Sequence, residues 1–528
     1  MRRSAPVQLL VTLAAGTLPA QAVGNAATST GRLAERIQSI MDRPEFAHSI
    51  FGVEFYSLDA DRPIYALNAD KFFVPGSTTK LLTEGAALGL LGADHRFHTE
   101  VYRTGPVTRD GTLDGDLALV ASGDPNLSGR IRPDGTLAFE NQDHAYGGSP
   151  DSRAVPGDPL LVVRELAQQV RARGIKRIRG RVVVDASLFA EGERELGTGV
   201  VISPIAVNDN LVDVTIGPGS AAGERATLAA SPATSYVRFV NQATTAASDS
   251  KPEIHWASDV ANPDGSHTVT VTGTVPAGKP AILYGYAVPE PTRFAEVALV
   301  EALREQGVAA SRSGGPKAGP EALAASYTPA NLVAEHVSPP LAEEVKVTLK
   351  VSQNLHASMM PYILGAVVGH RGDAQTGFAA EHAFLERAGL DLSGASQSDG
   401  AGGSAHFTPD FMVHFLAYMA KRPDFPAYAA ALPVLGRDGT LWNIQASSPA
   451  AGQVRAKTGT YVRDDLLNGR MMVDGKGLAG YLTTADGRRL AFAIYANNVP
   501  VSTDPEAITE KVGQALGEIA AAAYEAQP

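Results

Sequence analysis

Three short motifs contain residue types that together could perform acyl transfer. They are Ser77-Thr78-Thr79-Lys80, Ser352-Gln353-Asn354 and Lys457-Thr458-Gly459, in this order along the chain. A serine hydroxyl becomes a useful nucleophile when a neighbouring base takes its proton, and a neutral lysine can be that base. If the three motifs meet in one cleft, the sequence predicts an enzyme that works through an acyl-serine intermediate.

The first motif places a serine and a lysine one helical turn apart. The apolar spacing of residues 78–91 predicts a helix that begins at about Ser77, which brings Lys80 to the same face within reach of the hydroxyl. Partial burial and a second cation, Lys457, would lower the pKa of Lys80 and leave it neutral. Free N–H groups at a helix start make Ser77 N–H one half of a predicted oxyanion hole.

The third motif is predicted to form a strand at the edge of the cleft. Lys457 and Thr458 would hold a carboxylate of the substrate, and Gly459 would leave room for the substrate backbone to approach. Thr460 N–H would be the second donor of the oxyanion hole. These four residues are therefore predicted to bind substrate.

The second motif is predicted to act on the substrate amide. Ser352 would relay a proton to the leaving amine, and Asn354 would hold the amide. An isolated S-x-x-K match carries little information, because residues 248–251 (SDSK) match it too, followed by Pro252 and no helical pattern. The three motifs in the required order, each in its required setting, are the specific signal.

Composition excludes several other classes of protein. The chain has 528 residues, 44% hydrophobic and 19% charged, which is typical of a folded protein with more than one domain. The formal net charge of −11 and the lack of a basic run exclude a nucleic-acid partner. The chain has no cysteine and no H-E-x-x-H spacing, so thiol chemistry is excluded and neither a metal nor another cofactor is predicted.

The N-terminus has the three parts of an export signal. A positive start, Met1-Arg2-Arg3, precedes an apolar stretch at residues 7–18 and the small-residue site Ala20-Gln21-Ala22. We expect cleavage near Ala22, no stable membrane span afterwards, and a location in the periplasm or cell envelope. An uncleaved anchor is the alternative, although the apolar run is shorter than the roughly 20 residues that a span needs.

The order of predicted elements suggests one α/β domain whose sequence is split by an insertion. A strand at 50–59, predicted by its alternation to be buried on one face, its partner at 64–67 and the helix after Ser77 precede a β-rich segment at 99–287. A Gly- and Pro-rich linker follows at 311–329. Further predictions are strands at 117–121, 181–185, 211–216, 268–274, 469–472, 477–483 and 490–496, and helices at 33–41, 160–173, 341–351, 356–368, 379–388, 409–420 and 505–523.

The motifs and their flanking phrases resemble the low-molecular-mass class C penicillin-binding proteins. These are the serine D-alanyl-D-alanine carboxypeptidases and endopeptidases of the S13 peptidase family. The gap of 275 positions between Ser77 and Ser352 (352 minus 77) resembles the large insertion of that family. The flanking phrases are PGSTTK (75–80), GDPNL (123–127), AVNDNLVD (206–213), SPPL (338–341), LPVLGRDGTL (432–441) and AKTGT (456–460).

The resemblance implies both a fold and a function. The fold is α/β (α+β), a penicillin-binding transpeptidase-like or β-lactamase-like domain split by a large β-rich insertion. The function is hydrolysis of the D-Ala-D-Ala bond of peptidoglycan stem peptides, or of peptide cross-links, through a Ser77 acyl-enzyme that β-lactams trap covalently. The implied units are a signal peptide (1–22), a catalytic domain (30–97 and 320–528), an inserted domain (98–123 and 204–319) and a nested second one (124–203).

Several positions depart from the family pattern or have two interpretations. Where the family reads D-G-S-G-L-S-R, residues 399–405 read DGAGGSA, so Ala405 replaces an arginine that helps to hold the peptide side chain. Ser358 replaces a usual Glu, and Gln353 stands where Asp is commoner. Asp185 either meets a diaminopimelate amine or is a strand-end turn residue, the interpretation that we prefer.

Two other functions remain compatible with the motifs. One is a β-lactamase or D-amino-peptidase on the same scaffold, which differs in how water is activated for deacylation. The other is a non-catalytic peptidoglycan-binding scaffold protein, against which the intact motifs argue. We predict a helix-face position for His356, and packing positions for Trp256 and Trp442.

Overall fold

A computed structural model describes residues 20–311 and 323–526 of the chain. Within these ranges, no helix combines the length and the apolar character that crossing a membrane requires. Residues 1–19 of the predicted signal and residues 312–322 of the predicted linker lie outside the described residues.

The described residues form the following strands and α-helices. The strands are β1 (Ile50–Ser57), β2 (Arg62–Leu67), β3 (His98–Arg103), β4 (Thr112–Leu113), β5 (Leu117–Val120), β6 (Arg177–Ile178), β7 (Val182–Asp185), β8 (Leu211–Gly217), β9 (Thr227–Ser231), β10 (Val237–Asn241), β11 (Thr244–Ala246), β12 (Glu253–Ala261), β13 (His267–Pro276), β14 (Ile282–Ala287), β15 (Leu332–Val337), β16 (Ala395–Gln397), β17 (Ala405–Phe407), β18 (Val454–Asp465), β19 (Arg470–Thr483), β20 (Arg489–Asn497) and β21 (Val499–Val501). The α-helices are α1 (Ala20–Met41), α2 (Lys80–Leu91), α3 (Leu161–Ala172), α4 (Pro291–Glu305), α5 (Leu341–Val351), α6 (Asn354–Val367), α7 (Ala374–Arg387), α8 (Pro409–Met419), α9 (Phe425–Ala431) and α10 (Gln514–Glu525).

An antiparallel sheet, here called the central sheet, joins the two ends of the chain. Its order is β18-β19-β20-β1-β2, with β21 paired to β19. The register sets Val53 opposite Ile494 and Lys457 opposite Ala479. The first strands therefore complete a sheet whose other strands follow some 400 residues later in sequence, an arrangement that fits a domain with an insertion.

Helices cover both faces of the central sheet. On one face α1 and α10 bury an apolar core with Val53, Phe55 and Phe492. On the other face lie α2 and α5–α9, and their core includes Tyr56 and Tyr495. The alternation of side chains along a strand sends successive residues to these two cores. The result is a three-layer α/β arrangement in which α2 packs against α5, α6 and α7, and the turn that precedes α2 contacts β18 and β19.

The inserted region has its own sheets and core. One of these sheets has the order β15-β3-β5-β7. Its strand β3 follows α2 at the start of the inserted region, and its strand β15 precedes α5 at the end of that region. The two strands pair with each other. Two further sheets, β14-β8-β9 and one built on β13, pack with α3 and α4 around a separate apolar core. Strands from all three predicted units, the catalytic domain and the two inserted domains, lie side by side in the β15-β3-β5-β7 sheet. The boundaries between these units stay a prediction.

Most predicted elements are confirmed, and the exceptions have physical reasons. The strand predicted at 50–59 is β1, but it is buried on both faces and not on one, because helices cover the central sheet on each side. The strands predicted at 469–472 and 477–483 are one strand, β19. The last predicted helix starts with a π-helical turn at Ile508–Gly513 before α10.

Candidate active site

The start of α2 carries Ser77 and Lys80. A 3-10 turn at Gly76–Thr79 precedes the α-helix, so the helical rotation begins at the predicted place but with a tighter turn. Ser77 is half-buried and Lys80 is fully buried. Lys80 Nζ lies 2.7 Å from Ser77 Oγ, which is the contact that proton transfer between the two groups needs.

Lys80 is at the centre of a buried polar cluster. Its Nζ lies 2.7 Å from Asn354 Oδ1, 3.2 Å from Ala401 O and 3.4 Å from Ser352 Oγ. Burial lowers the pKa of Lys80 to about 7, against the opposing effect of acidic groups such as Glu195. The neutral amine is therefore well populated near neutral pH.

The cause of this pKa shift differs in part from the prediction. Burial is complete and not partial, and it is the cause that lowers the pKa of Lys80. The effect of a neighbouring cation falls on Lys457, whose pKa is lowered by burial first and then by Lys80 and Lys476. Two amines so close together cannot both easily carry a charge.

The second motif lies between two helices. Ser352 ends α5 with a left-handed backbone, φ 64° and ψ 36°, and Asn354 opens α6. This turn points Ser352 Oγ at Lys457 Nζ, 2.8 Å away. Asn354 Oδ1 accepts from Lys80, and a Cβ at Gly197 would lie 2.0 Å from Asn354 Nδ2, so the inserted region passes directly over this amide.

The third motif lies on β18, an edge strand of the central sheet. Lys457 is fully buried, and its Nζ also donates to Thr458 O at 2.8 Å. Thr458 Oγ1 lies 2.8 Å from Thr440 Oγ1. Thr460 is opposite Lys476 in the register, and Lys476 Nζ donates to Thr460 Oγ1 at 2.7 Å. Three lysine amines thus surround the hydroxyls of the cluster.

Gly459 has a structural role in addition to the predicted approach of the substrate backbone, which stays a prediction. A Cβ at this position would lie 1.9 Å from Pro75 O and 3.0 Å from Ser77 N. A Cβ at Gly76 would in turn lie 2.5 Å from Thr460 N. Both glycines therefore allow β18 to approach the start of α2, and this approach brings the predicted oxyanion donors, Ser77 N–H and Thr460 N–H, onto adjacent backbone segments.

The loop of residues 399–404 closes the cluster from another side. Asp399 orders it, because its carboxylate accepts from the backbone N–H groups of residues 401–404 at 2.5–3.1 Å. This loop presents Ala401 O to Lys80. Ala405, where the family arginine would stand, is a buried residue at the start of β17.

Asp185 lies at the end of β7, where the sequence places it. Its carboxylate accepts from Tyr327 O–H at 2.7 Å and from Ser187 N–H at 3.0 Å. The second contact is the turn bond that the structural interpretation of Asp185 requires. Recognition of a substrate amine by Asp185 stays a prediction.

Two neighbouring residues were not found from the sequence. Lys476 is placed by the pairing of β18 with β19, and a register shift between Tyr461 and Val462 interrupts the two-residue period that a simple hairpin would have. Tyr146 of the inserted region donates its hydroxyl to Ser352 O at 2.5 Å. A contact across more than 200 residues leaves no local signal in one sequence.

One group of described residues has the spacing of metal ligands. Asp143, His144 and Asp209 are buried together. Arg130 is also buried there, and its Nη2 donates to Asp143 at 2.7 Å and to Asp209 at 2.5 Å. The guanidinium thus supplies the positive charge that these two carboxylates need.

Comparison with known proteins shows the family and the fold of the chain. The family model described as "D-Ala-D-Ala carboxypeptidase 3 (S13) family" matches residues 33–519. A D-alanyl-D-alanine carboxypeptidase of Actinomadura sp. (strain R39) is 28% identical, covering 97% of this chain and 89% of that protein. Carboxypeptidase DacB of Haemophilus influenzae is 26% identical over 84% of each chain.

Solved structures match in fold. Penicillin-binding protein 4 of Haemophilus influenzae superposes with a TM-score of 0.69 at 21% identity, over 93% of this chain and 99% of that one. Its complex with a β-lactam gives a TM-score of 0.66. The three-layer arrangement and the inserted sheets are therefore those of a known fold.

Proposed function

The chain belongs to the D-Ala-D-Ala carboxypeptidase 3 (S13) family and is a serine peptidase; on this basis we propose that it removes the terminal D-alanine from peptidoglycan stem peptides with Ser77 as nucleophile. The observation that carries the proposal is the 2.7 Å contact between Ser77 Oγ and the buried Lys80 Nζ. Ser352 and Lys457 complete the arrangement, since Lys457 Nζ donates to Ser352 Oγ at 2.8 Å.

In the proposed acylation step, neutral Lys80 takes the proton of Ser77, and Oγ attacks the carbonyl carbon of the scissile D-Ala-D-Ala bond. Ser77 N–H and Thr460 N–H stabilise the oxyanion that forms. The C–N bond then breaks, and the proton reaches the leaving amine through Ser352. The products are the Ser77 ester and free D-alanine, so every atom and proton is accounted for.

Deacylation repeats the same chemistry with water. Lys80 accepts a proton from the water that attacks the ester, and Ser77 recovers its proton as the peptide leaves. A β-lactam undergoes only the acylation step. The amine released by opening its ring stays attached to the acyl group, where it hinders the attack of water on the ester. The terminal carboxylate of a substrate is an anion that the hydroxyl of Thr458 and the amines of Lys457 and Lys476 can bind. Lys476 is charged over much of the neutral range, because burial lowers its pKa only to about 8.

Acylation is expected to depend on pH through the base. The pKa of Lys80 is lowered to about 7, so the amine is protonated and inactive below this value and free above it. The acylation rate should fall about tenfold for each pH unit below 7 and level off above about 8. Stopped-flow labelling with a fluorescent penicillin between pH 5 and 9 measures this profile. A rate that is flat down to pH 5 would remove Lys80 as the base.

The substrate and the bond that is cut are tested with purified muropeptides. We expect pentapeptide muropeptides to lose one alanine, as seen by mass spectrometry, and penicillin to remain attached to the enzyme. Conversion of cross-linked dimers to monomers would add endopeptidase activity. Sustained turnover of penicillin with intact muropeptides would instead identify a β-lactamase.

We also propose that the protein acts in the cell envelope, where its substrate is found. The curated relatives are carboxypeptidases whose names match this class of substrate. The predicted export signal agrees with this location.

A further inference from the structure

The backbone of Ser352 is held in a conformation that a serine rarely adopts. Its φ of 64° lies in the left-handed region, which costs a non-glycine residue free energy unless the surroundings stabilise it. The turn also matters for the proposed function, because it places Ser352 Oγ 2.8 Å from Lys457 Nζ and 3.4 Å from Lys80 Nζ. Something outside the motif must hold the turn.

Tyr146 contacts this turn directly. It belongs to a 3-10 turn of the inserted region, His144–Tyr146, and its hydroxyl donates to Ser352 O at 2.5 Å. Burial raises the pKa of the Tyr146 phenol far above its usual value, so the hydroxyl remains a donor at every physiological pH. The backbone of Tyr146 is fixed in turn, since Ser152 Oγ donates to its carbonyl at 2.8 Å.

A buried ionic cluster holds the next residue of the motif. Gln353 Nε2 donates to Asp143 Oδ1 at 3.3 Å and to Asp209 Oδ2 at 3.2 Å. The two carboxylates are themselves fixed by Arg130, and Asp209 also by His144 Nε2 at 2.8 Å. All of these side chains have essentially no exposed surface.

The amide at position 353 suits this cluster. A carboxylate there would face Asp143 and Asp209 without a proton to share, whereas the Gln353 amide donates to both. Its Oε1 also accepts from Leu355 N–H and caps α6. The inserted region therefore holds the turn at two neighbouring residues. The Tyr146 phenol binds the carbonyl of Ser352, and the buried carboxylates bind the side chain of Gln353.

We infer that Tyr146 is a positioning residue for proton transfer to the leaving group: its bond to Ser352 O keeps the Ser352 hydroxyl between the two lysines. This inference rests on the proposed function of Ser352 as a relay. The inserted region then contributes to the chemical step and does more than shape the cleft.

The test compares two leaving groups in a Tyr146→Phe variant. A peptide amide needs a proton on its leaving nitrogen, whereas a thiolester with the same acyl group releases a thiolate that needs none. Loss of one hydrogen bond should lower kcat/KM for an acyl-D-Ala-D-Ala peptide about tenfold. The value for the thiolester should change less than about threefold, because kcat/KM covers only the steps up to the acyl-enzyme.

Tyr481→Phe is the matched control. Tyr481 is also buried, and its hydroxyl also donates to a backbone carbonyl, Leu416 O on α8, at 2.9 Å. The Tyr481→Phe variant should show a decrease in thermal midpoint similar to that of Tyr146→Phe. Its ratio of the two kcat/KM values should stay at the wild-type level.

Three results would overturn the inference: an unchanged amide rate in the Tyr146 variant, an equal loss on both substrates, or the same change of ratio in the control. If the wild-type enzyme cleaves neither substrate, the proposed function fails instead.

Discussion

Replacing Ser77 with alanine is expected to remove covalent penicillin binding completely and to lower peptide hydrolysis by about 10⁴ to 10⁶-fold. The variant keeps the residues proposed to bind the substrate carboxylate and the oxyanion, but it has no side-chain oxygen at position 77 to form the ester. Because Ser77 is half-buried and small, the fold should not change. Gel fluorescence with a labelled penicillin and peptide hydrolysis assays measure both effects.

The chain offers a matched control for this variant. Residues 248–251 match the same four-residue motif, but Ser248 is exposed, and Lys251 is an exposed residue whose Nζ lies 3.4 Å from Asp504 Oδ2. Ser248→Ala should label as the wild type does. Undiminished labelling of the Ser77 variant would contradict the assignment of the nucleophile.

Replacing Lys80 with alanine is expected to slow acylation about 10³-fold while Ser77 remains present. Without the amine, the hydroxyl at Ser77 has no base at 2.7 Å. The remaining rate should lose the inflection near pH 7, because the group that titrates there is gone. Stopped-flow labelling across the pH range gives both readouts.

The stability of the Lys80 variant separates chemistry from unfolding. Removal of the fully buried Lys80 removes the cost of desolvating an amine but leaves Asn354 Oδ1 and Ala401 O without this donor, so the thermal midpoint should fall by only a few degrees. Lys251→Ala, at the exposed motif match, should leave the acylation rate unchanged. A Lys80 variant that folds and acylates within tenfold of the wild type would show that another group is the base.

The sequence predicts those contacts of the site that form within one short motif. Lys80 follows Ser77 by one helical turn, and helix geometry alone brings their side chains together. The meeting of Ser352 with Lys457 needs the tertiary fold, and the prediction rested on family resemblance for that step. The resemblance also predicted the fold class, which the matched structures confirm.

The contacts that the sequence does not predict are formed by residues that lie far apart along the chain. Tyr146 reaches Ser352 only because the inserted region folds back onto the second motif. The close approach of Gly459 to Pro75 O is likewise a contact that no local pattern encodes. β1 is buried on both faces because the C-terminal helix α10 covers one of them, although its sequence lies more than 450 residues away.

The central claim is that Ser77 becomes covalently acylated. The most direct measurement is mass spectrometry of the wild-type protein after incubation with penicillin and acid quenching, first intact and then as proteolytic fragments. The account predicts one added penicillin per chain, located on the fragment that contains Ser77 and on that serine. An adduct on any other residue, or none while D-alanine is still released, would contradict it.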